Sequence, residues 1–231
     1  MKTFITLLLI GLSAIALVTS NAFLSKLNIR LHSDTFINGI LQYQIFALLL
    51  AILVCLVTLK ANPNSKELLS FGNLNEIASK EIWMGINGKT SWLRNGVSLL
   101  LFISFGTGIF MYGGLEQTQS LDNFKWGFIP FIILFSASNA FSEELIFRIG
   151  INGNLHGYLE PKYIFLISAV MFGLPHWGGN PSGPVGVIMA GVLGYILSKA
   201  THETKGIGLA LIIHFVQDII IFTAVFMMNN K

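Results

Sequence analysis

An all-α, polytopic membrane protein with about seven transmembrane helices around a polar intramembrane cavity is the fold this sequence predicts. Three observations carry that expectation. The 231 residues are 53% hydrophobic and only 11% charged, with a mean hydropathy of +0.70, whereas soluble domains carry about a quarter charged residues. Apolar runs approaching the roughly 20 residues that a bilayer demands recur along the chain. Ionisable residues inside those runs gather in three short stretches, EELIFR at 143–148, FGLPH at 172–176 and HFVQD at 214–218. The net charge of +3 is small, and no basic, aromatic-interleaved patch points to nucleic acid. With one cysteine, Cys55, an intrachain disulfide is excluded.

The first run, near 3–20, follows a lysine and ends in small residues, as a signal peptide would. An uncleaved first span fits better, because a second run follows at once near 39–59. Residues 60–94 form the longest polar interval, rich in Asn and Gly, and are expected to be a loop with a short interfacial helix around Glu76 to Met84. Further runs lie near 95–113, 126–156, 161–176, 184–199 and 206–228, the fifth span of the seven being short. This divides the chain into an amino-terminal part, 1–94, with two spans and the loop, and a core, 95–231. With the amino terminus inside, 10 of the 14 basic residues face the cytoplasm, among them Lys60, Lys66, Lys80, Lys89, Arg94 and Lys205, against Lys26, Arg30, Lys125 and Lys231 outside. That bias predicts a cytoplasmic amino terminus.

Ionisable groups in hydrocarbon cost roughly 2.5–3.5 kcal/mol each on insertion scales, so they persist where they have partners or face a cavity. Glu144 and Arg148 are four apart and share a helix face, where they can pair. Glu143 points about 100° away and has no such neighbour. This separates a structural glutamate from one free for chemistry; the plainer alternative is a pair snorkelling from a helix end. His176 follows Phe172 by four, beside Pro175, and alone reads as a residue at the end of a span. His214 and Asp218 share one face of the last apolar run, so the carboxylate can fix the histidine tautomer, join it at a metal, or simply glue two helices. If the fourth span continues to about His156, Glu143 lies roughly 20 Å from the cytoplasmic face, His176 about 21 Å, and His214 and Asp218 about 12 and 18 Å, at 1.5 Å per residue. The clusters can then converge.

The ordered set E-E-L-I-F-R, F-G-L-P-H and H-F-V-Q-D resembles the signature of the CAAX protease and bacteriocin-processing family, also called the abortive-infection family, which includes the type II prenyl endopeptidases. The likeness covers about residues 95–228. It implies an intramembrane peptidase of a bacterial plasma membrane, with a conical cavity open to the cytoplasm and a membrane-associated, possibly prenylated or leader-type, peptide substrate. By the same resemblance Glu143 looks like the general base for water, helped by His176. Glu144 and Arg148 look like the pair that holds the site together, and His214 with the residue four later like the oxyanion-stabilising group. The family pattern has asparagine where this chain has Asp218; an ionised aspartate cannot donate to an oxyanion, so Asp218 is protonated, orients His214 or ligates a metal.

Amide hydrolysis needs an activated water, a proton shuttle and a clamp on the developing oxyanion. Glu143 and the two histidines can supply these directly, or Glu143, His176 and His214 can hold a zinc ion that acidifies its water. No HExxH helix decides between them; His202-Glu203 lies in an expected polar loop with Gly206 at the second histidine position. His32 and His156 read as loop or interfacial residues, and Ser142 as a packing or back-bonding serine. Two further functions remain open: a non-catalytic bacteriocin self-immunity or regulatory membrane protein, and a proton- or ion-coupled transporter using Glu143, His176 and Asp218 as a relay. The transporter predicts inverted repeats, and none is visible.

Overall fold

Long apolar runs without interior prolines close into helices where no backbone group could find water. The computed structural model describes residues 2–230; Met1 and Lys231, the latter among the basic residues counted on the outer side, lie outside the described residues. Eight α-helices follow in order: α1 (Lys2–Leu24), α2 (Thr35–Ala61), α3 (Trp92–Gln117), α4 (Ile129–Glu143), α5 (Gly150–Leu155), α6 (Pro161–Gly173), α7 (Gly183–Thr204) and α8 (Gly208–Asn229). A π-helical turn, Glu144–Ile149, joins α4 to α5. Six helical stretches are long and apolar enough to cross a membrane, α4 through α5 counting as one. The seventh expected span is α6, only 13 residues long and continued by a 3-10 turn, Leu174–Gly178. The protein is an all-α polytopic membrane protein.

Sequence chemistry sets the helix ends. Asp34 caps α2 by accepting from the Ile37 N–H at 3.0 Å. Proline lies in the first turn of α4, α6 and α7, where its missing N–H costs nothing. Successive spans alternate in direction. One face, here the amino-terminal face, therefore holds the start of α1, the 62–91 loop and the α5–α6 and α7–α8 turns; the opposite face holds the α1–α2, α3–α4 and α6–α7 connections. The interfacial helix expected around Glu76–Met84 is replaced by a 3-10 turn, Ile82–Met84, and two isolated antiparallel bridges, Ile77 to Ser91 and Glu81 to Ile86. A segment with glycines at 85 and 88, both at positive φ, folds back on itself rather than winding.

The stretch 142–155 is buried throughout and runs through the middle of the molecule. Ile10, Val54 and Ala51 from α1 and α2 pack with Leu145, Ile146, Ile149, Phe165 and Phe172 in one apolar core. Gly150 permits this approach, since a Cβ there would fall 2.5 Å from Ile10 Cδ1. On the other side of the core Gly194 lets α7 close on α6, where a Cβ would meet Phe172 Cβ at 2.9 Å and the Ser168 carbonyl at 3.0 Å.

Candidate active site

The charged side chains of EELIFR meet partners on two other helices, α6 and α8. Arg148 is fully buried and forks onto Glu144, Nε to Oε2 at 3.0 Å and Nη2 to Oε1 at 3.3 Å. Its third reach is Nη1 to Ser168 Oγ on α6, at 2.7 Å, and Ser168 in turn donates to the Gly194 carbonyl at 3.2 Å. The guanidinium also lies over the Phe172 ring, 4.6 Å from its centroid. The pairing read from the i, i+4 spacing is therefore present, with every guanidinium nitrogen engaged and the close α6–α7 contact supporting it.

Glu144 Oε1 also accepts from His214 Nδ1 at 2.9 Å. A proton on Nδ1 makes this bond, which turns Nε2 the other way. There it lies 3.6 Å from Glu143 Oε2 and 3.7 Å from Asp218 Oδ2. The two adjacent glutamates thus face the two nitrogens of one imidazole. The expectation that Glu143 lacks a neighbour of its own is corrected: a partner from α8 was invisible to spacing within one helix. The π turn belongs to this arrangement. Gly150 N–H reaches back to the Leu145 carbonyl, five residues earlier, so the turn is widened just after the glutamates.

Asn139, one turn before Glu143 on α4, was not singled out from the sequence. Its Nδ2 donates to Glu143 Oε1 at 3.3 Å and to Asp218 Oδ2 at 3.1 Å, tying the two carboxylates together. The signal was available as an i, i+4 Asn–Glu pair in SNAFSE. Glu143 Oε2, by contrast, is buried and has no hydrogen-bond partner, the one carboxylate oxygen in that position among the described residues.

His176 stands apart from Glu143. Its Nδ1 lies 2.7 Å from the Phe172 carbonyl and so carries the proton there, leaving Nε2 as the free nitrogen. No hydrogen bond or ion pair joins it to Glu143 among the described residues. Phe172 is the hub instead, its ring 4.9 Å from that of His176, 5.6 Å from that of His214 and 5.2 Å from that of Phe147. Among the described residues no group of three or more His, Cys, Asp or Glu side chains is arranged to hold a metal ion. Of the expected zinc set Glu143, His176 and His214, His176 lies in the 3-10 turn after α6 with its Nδ1 on the Phe172 carbonyl, while Glu143 and His214 face each other. Ser142 is buried without a hydrogen-bond partner, hence a packing residue and not a back-bonding one. His202 and Glu203 lie in the last turn of α7, not in a loop, with the His202 ring 5.0 Å from that of His156 and 5.5 Å from that of Phe165.

A cavity of about 620 Å³ reaches this cluster. Asn139, His176 and Asp218 form its inner wall, beside Tyr43, while Phe36 and Phe222 supply apolar surface. A smaller space of about 70 Å³ touches His176, His214 and Asp218 from the α3 side. The larger cavity is bounded by the end of α1 (Asn21, Leu24), the start of α2 (Thr35, Phe36) and the end of α8 (Val225). Its lining therefore runs from the buried cluster towards the end of the helices opposite the amino terminus.

Buried acids and a buried histidine meeting across helices, next to a mixed polar and apolar cavity, mark a candidate site inside a polytopic membrane protein. Residues 125–220, which hold all three motifs, match the family model described as Type II CAAX prenyl endopeptidase Rce1-like. The match bears out the resemblance drawn from the motifs and supports, at family level, a CAAX-type intramembrane peptidase. No curated protein and no solved structure matches the chain significantly.

Proposed function

We propose that the protein hydrolyses a peptide bond of a membrane-associated substrate, with water activated by Glu143. The observation that carries this reading is the unpartnered Oε2 of Glu143, buried 3.6 Å from His214 Nε2 behind the cavity wall formed by Asn139 and Asp218. A buried carboxylate oxygen without a donor is costly. A water that enters between Asn139 and Asp218 and donates to Oε2 relieves that cost and is polarised for attack.

The residues divide the work. Glu143 takes the proton as water oxygen bonds to the carbonyl carbon, and the carbonyl oxygen becomes an oxyanion. The amine nitrogen then takes a proton as the C–N bond breaks; His214, held by Glu144 with Nε2 towards Glu143, is placed to relay it. The donor for the oxyanion is the free Nε2 of His176 when it carries a proton, on the cavity wall. Asp218, at the position where the resembled family has asparagine, accepts from Asn139, whose amide also donates to Glu143, so one amide holds both carboxylates in place. The Glu144–Arg148–Ser168 chain touches none of the reacting atoms and fixes the tautomer of His214.

Peptide cleavage by the purified protein in liposomes tests the proposal, with prenylated and leader-type membrane peptides as substrates. Glu143→Gln, nearly isosteric, is expected to cut the rate by about 10²–10⁴-fold while the protein stays folded. Chelator is expected to leave the wild type active; loss of cleavage restored by zinc would replace the carboxylate-activated water by a metal-bound one. A folded wild type that binds these peptides without cutting them would favour the regulatory or immunity role.

A further inference from the structure

Away from the candidate active site, on the amino-terminal face, a groove of about 690 Å³ runs between the 82–90 loop and the start of α3. Arg94, Asn87 and Ser98 line its polar end, Trp83 one side, and Leu99 and Phe102 its floor. The groove walls are fixed. Trp83 packs edge-on against Tyr195, ring centroids 5.1 Å apart, and the Tyr195 hydroxyl donates to Glu81 at 3.1 Å. Asn95 is held by both the carbonyl and the hydroxyl of Thr90.

Two donors remain uncommitted. Among the described residues the exposed guanidinium of Arg94 has no ion pair or hydrogen bond and the Asn87 side-chain amide donates to nothing, although its oxygen accepts from the Lys89 N–H. No carboxylate lines the groove. Below them, the outer surface of α3 is continuously apolar, with Leu101 66%, Phe102 77% and Phe105 70% exposed. Ile82 and Trp83, also exposed, set the level of the membrane interface, where tryptophan concentrates. An anionic group at Arg94 joined to an apolar chain along Phe102 and Phe105 would match both halves at once.

We propose that this groove is a binding site for an anionic phospholipid of the surrounding membrane, the phosphate on Arg94 and Asn87 and one acyl chain along α3. A zwitterionic lipid places a compensating ammonium at the same site and gains less. One basic residue at an anionic surface is worth about 1 kcal/mol, or roughly fivefold in affinity.

The test is native mass spectrometry of the full chain, delipidated in detergent and then exposed to equal amounts of dioleoylphosphatidylglycerol and dioleoylphosphatidylcholine. The wild type is expected to retain the phosphatidylglycerol about fivefold over the phosphatidylcholine. Arg94→Gln should level the two, Arg94→Lys should keep most of the preference, and Lys26→Gln on the opposite face should leave it intact. Melting temperatures of the lipid-free variants check that each is folded. Equal retention of both lipids by the wild type, or an unchanged preference in Arg94→Gln, overturns the proposal. So does inorganic phosphate that displaces the lipid at stoichiometric concentration, which would make the site one for a free anion.

Discussion

Two buried clusters of acid and base lie in this molecule, and they are built on opposite plans. Near the carboxy-terminal end of α7, Lys199 is 2% exposed and donates to Glu203 at 2.7 Å and to Ser79. Glu203 accepts further bonds from the Ser79 N–H and from Trp92 Nε1, both at 2.9 Å. Every charged atom there has a partner, and the partners outside α7 are Ser79 in the loop before α3 and Trp92 at the start of α3, both of which the cluster pins to α7. In mid-membrane, Arg148 and Glu144 are satisfied in the same way, but Glu143 beside them keeps a bare oxygen. A fully connected polar network rigidifies, whereas an incomplete one is costly unless a ligand completes it. On the proposed reading, the difference separates a structural use of buried charge from one completed by water and substrate.

Three substitutions would break or sharpen that contrast, beginning with the largest. Arg148→Met removes the guanidinium that balances Glu144 at full burial, and breaking such a pair costs about 3–5 kcal/mol. Denaturant unfolding in detergent should show that loss, together with loss of any cleavage. Lys199→Met should cost less, about 1–3 kcal/mol, because Glu203 keeps its bonds from Ser79 and Trp92. Its cleavage rate per folded molecule should equal that of wild type; a fall in rate with unchanged substrate binding would erase the distinction drawn between the clusters. Asn139→Ala is the mildest, about 1 kcal/mol of stability for its shared amide. It separates orientation from chemistry: the maximal rate should fall roughly tenfold, with apparent substrate affinity little changed. An unaltered rate would remove Asn139 from the site.

Much of this was legible in the chain. Length and hydropathy placed all the spans, because in hydrocarbon a helix is the one open option for a single segment. The i, i+4 rule found Glu144–Arg148, whose spacing survives the π turn. It could not find His214 between Glu143 and Glu144, a contact of residues seventy apart that depends on how α8 lies against α4. Nor could it aim His176: helical continuation through Pro175 was assumed, and the 3-10 turn that replaces it puts Nδ1 on the Phe172 carbonyl. The 60–94 loop was misread as partly helical because its apolar Ile82, Trp83 and Met84 resemble a short amphipathic turn; glycines at positive φ decide otherwise. Asn139 was passed over because a single neutral amide in an apolar helix is an ordinary sight, and only its two carboxylate neighbours give it meaning.

The brevity of α6 has a consequence for the lipid around it. Thirteen residues rise about 20 Å, well short of a hydrocarbon core of roughly 30 Å. Past Leu174 the chain turns polar and small, through His176 and paired glycines, while neighbouring α1 and α7 run 23 and 22 residues. Acyl chains beside α6 face a hydrophobic mismatch, which a bilayer meets by thinning. The thin patch would form on the α6–α7 side of the opposite face, beside His176, Gly179 and Asn180 of the cavity lining, and would bring headgroups and water down towards those residues as a local dimple.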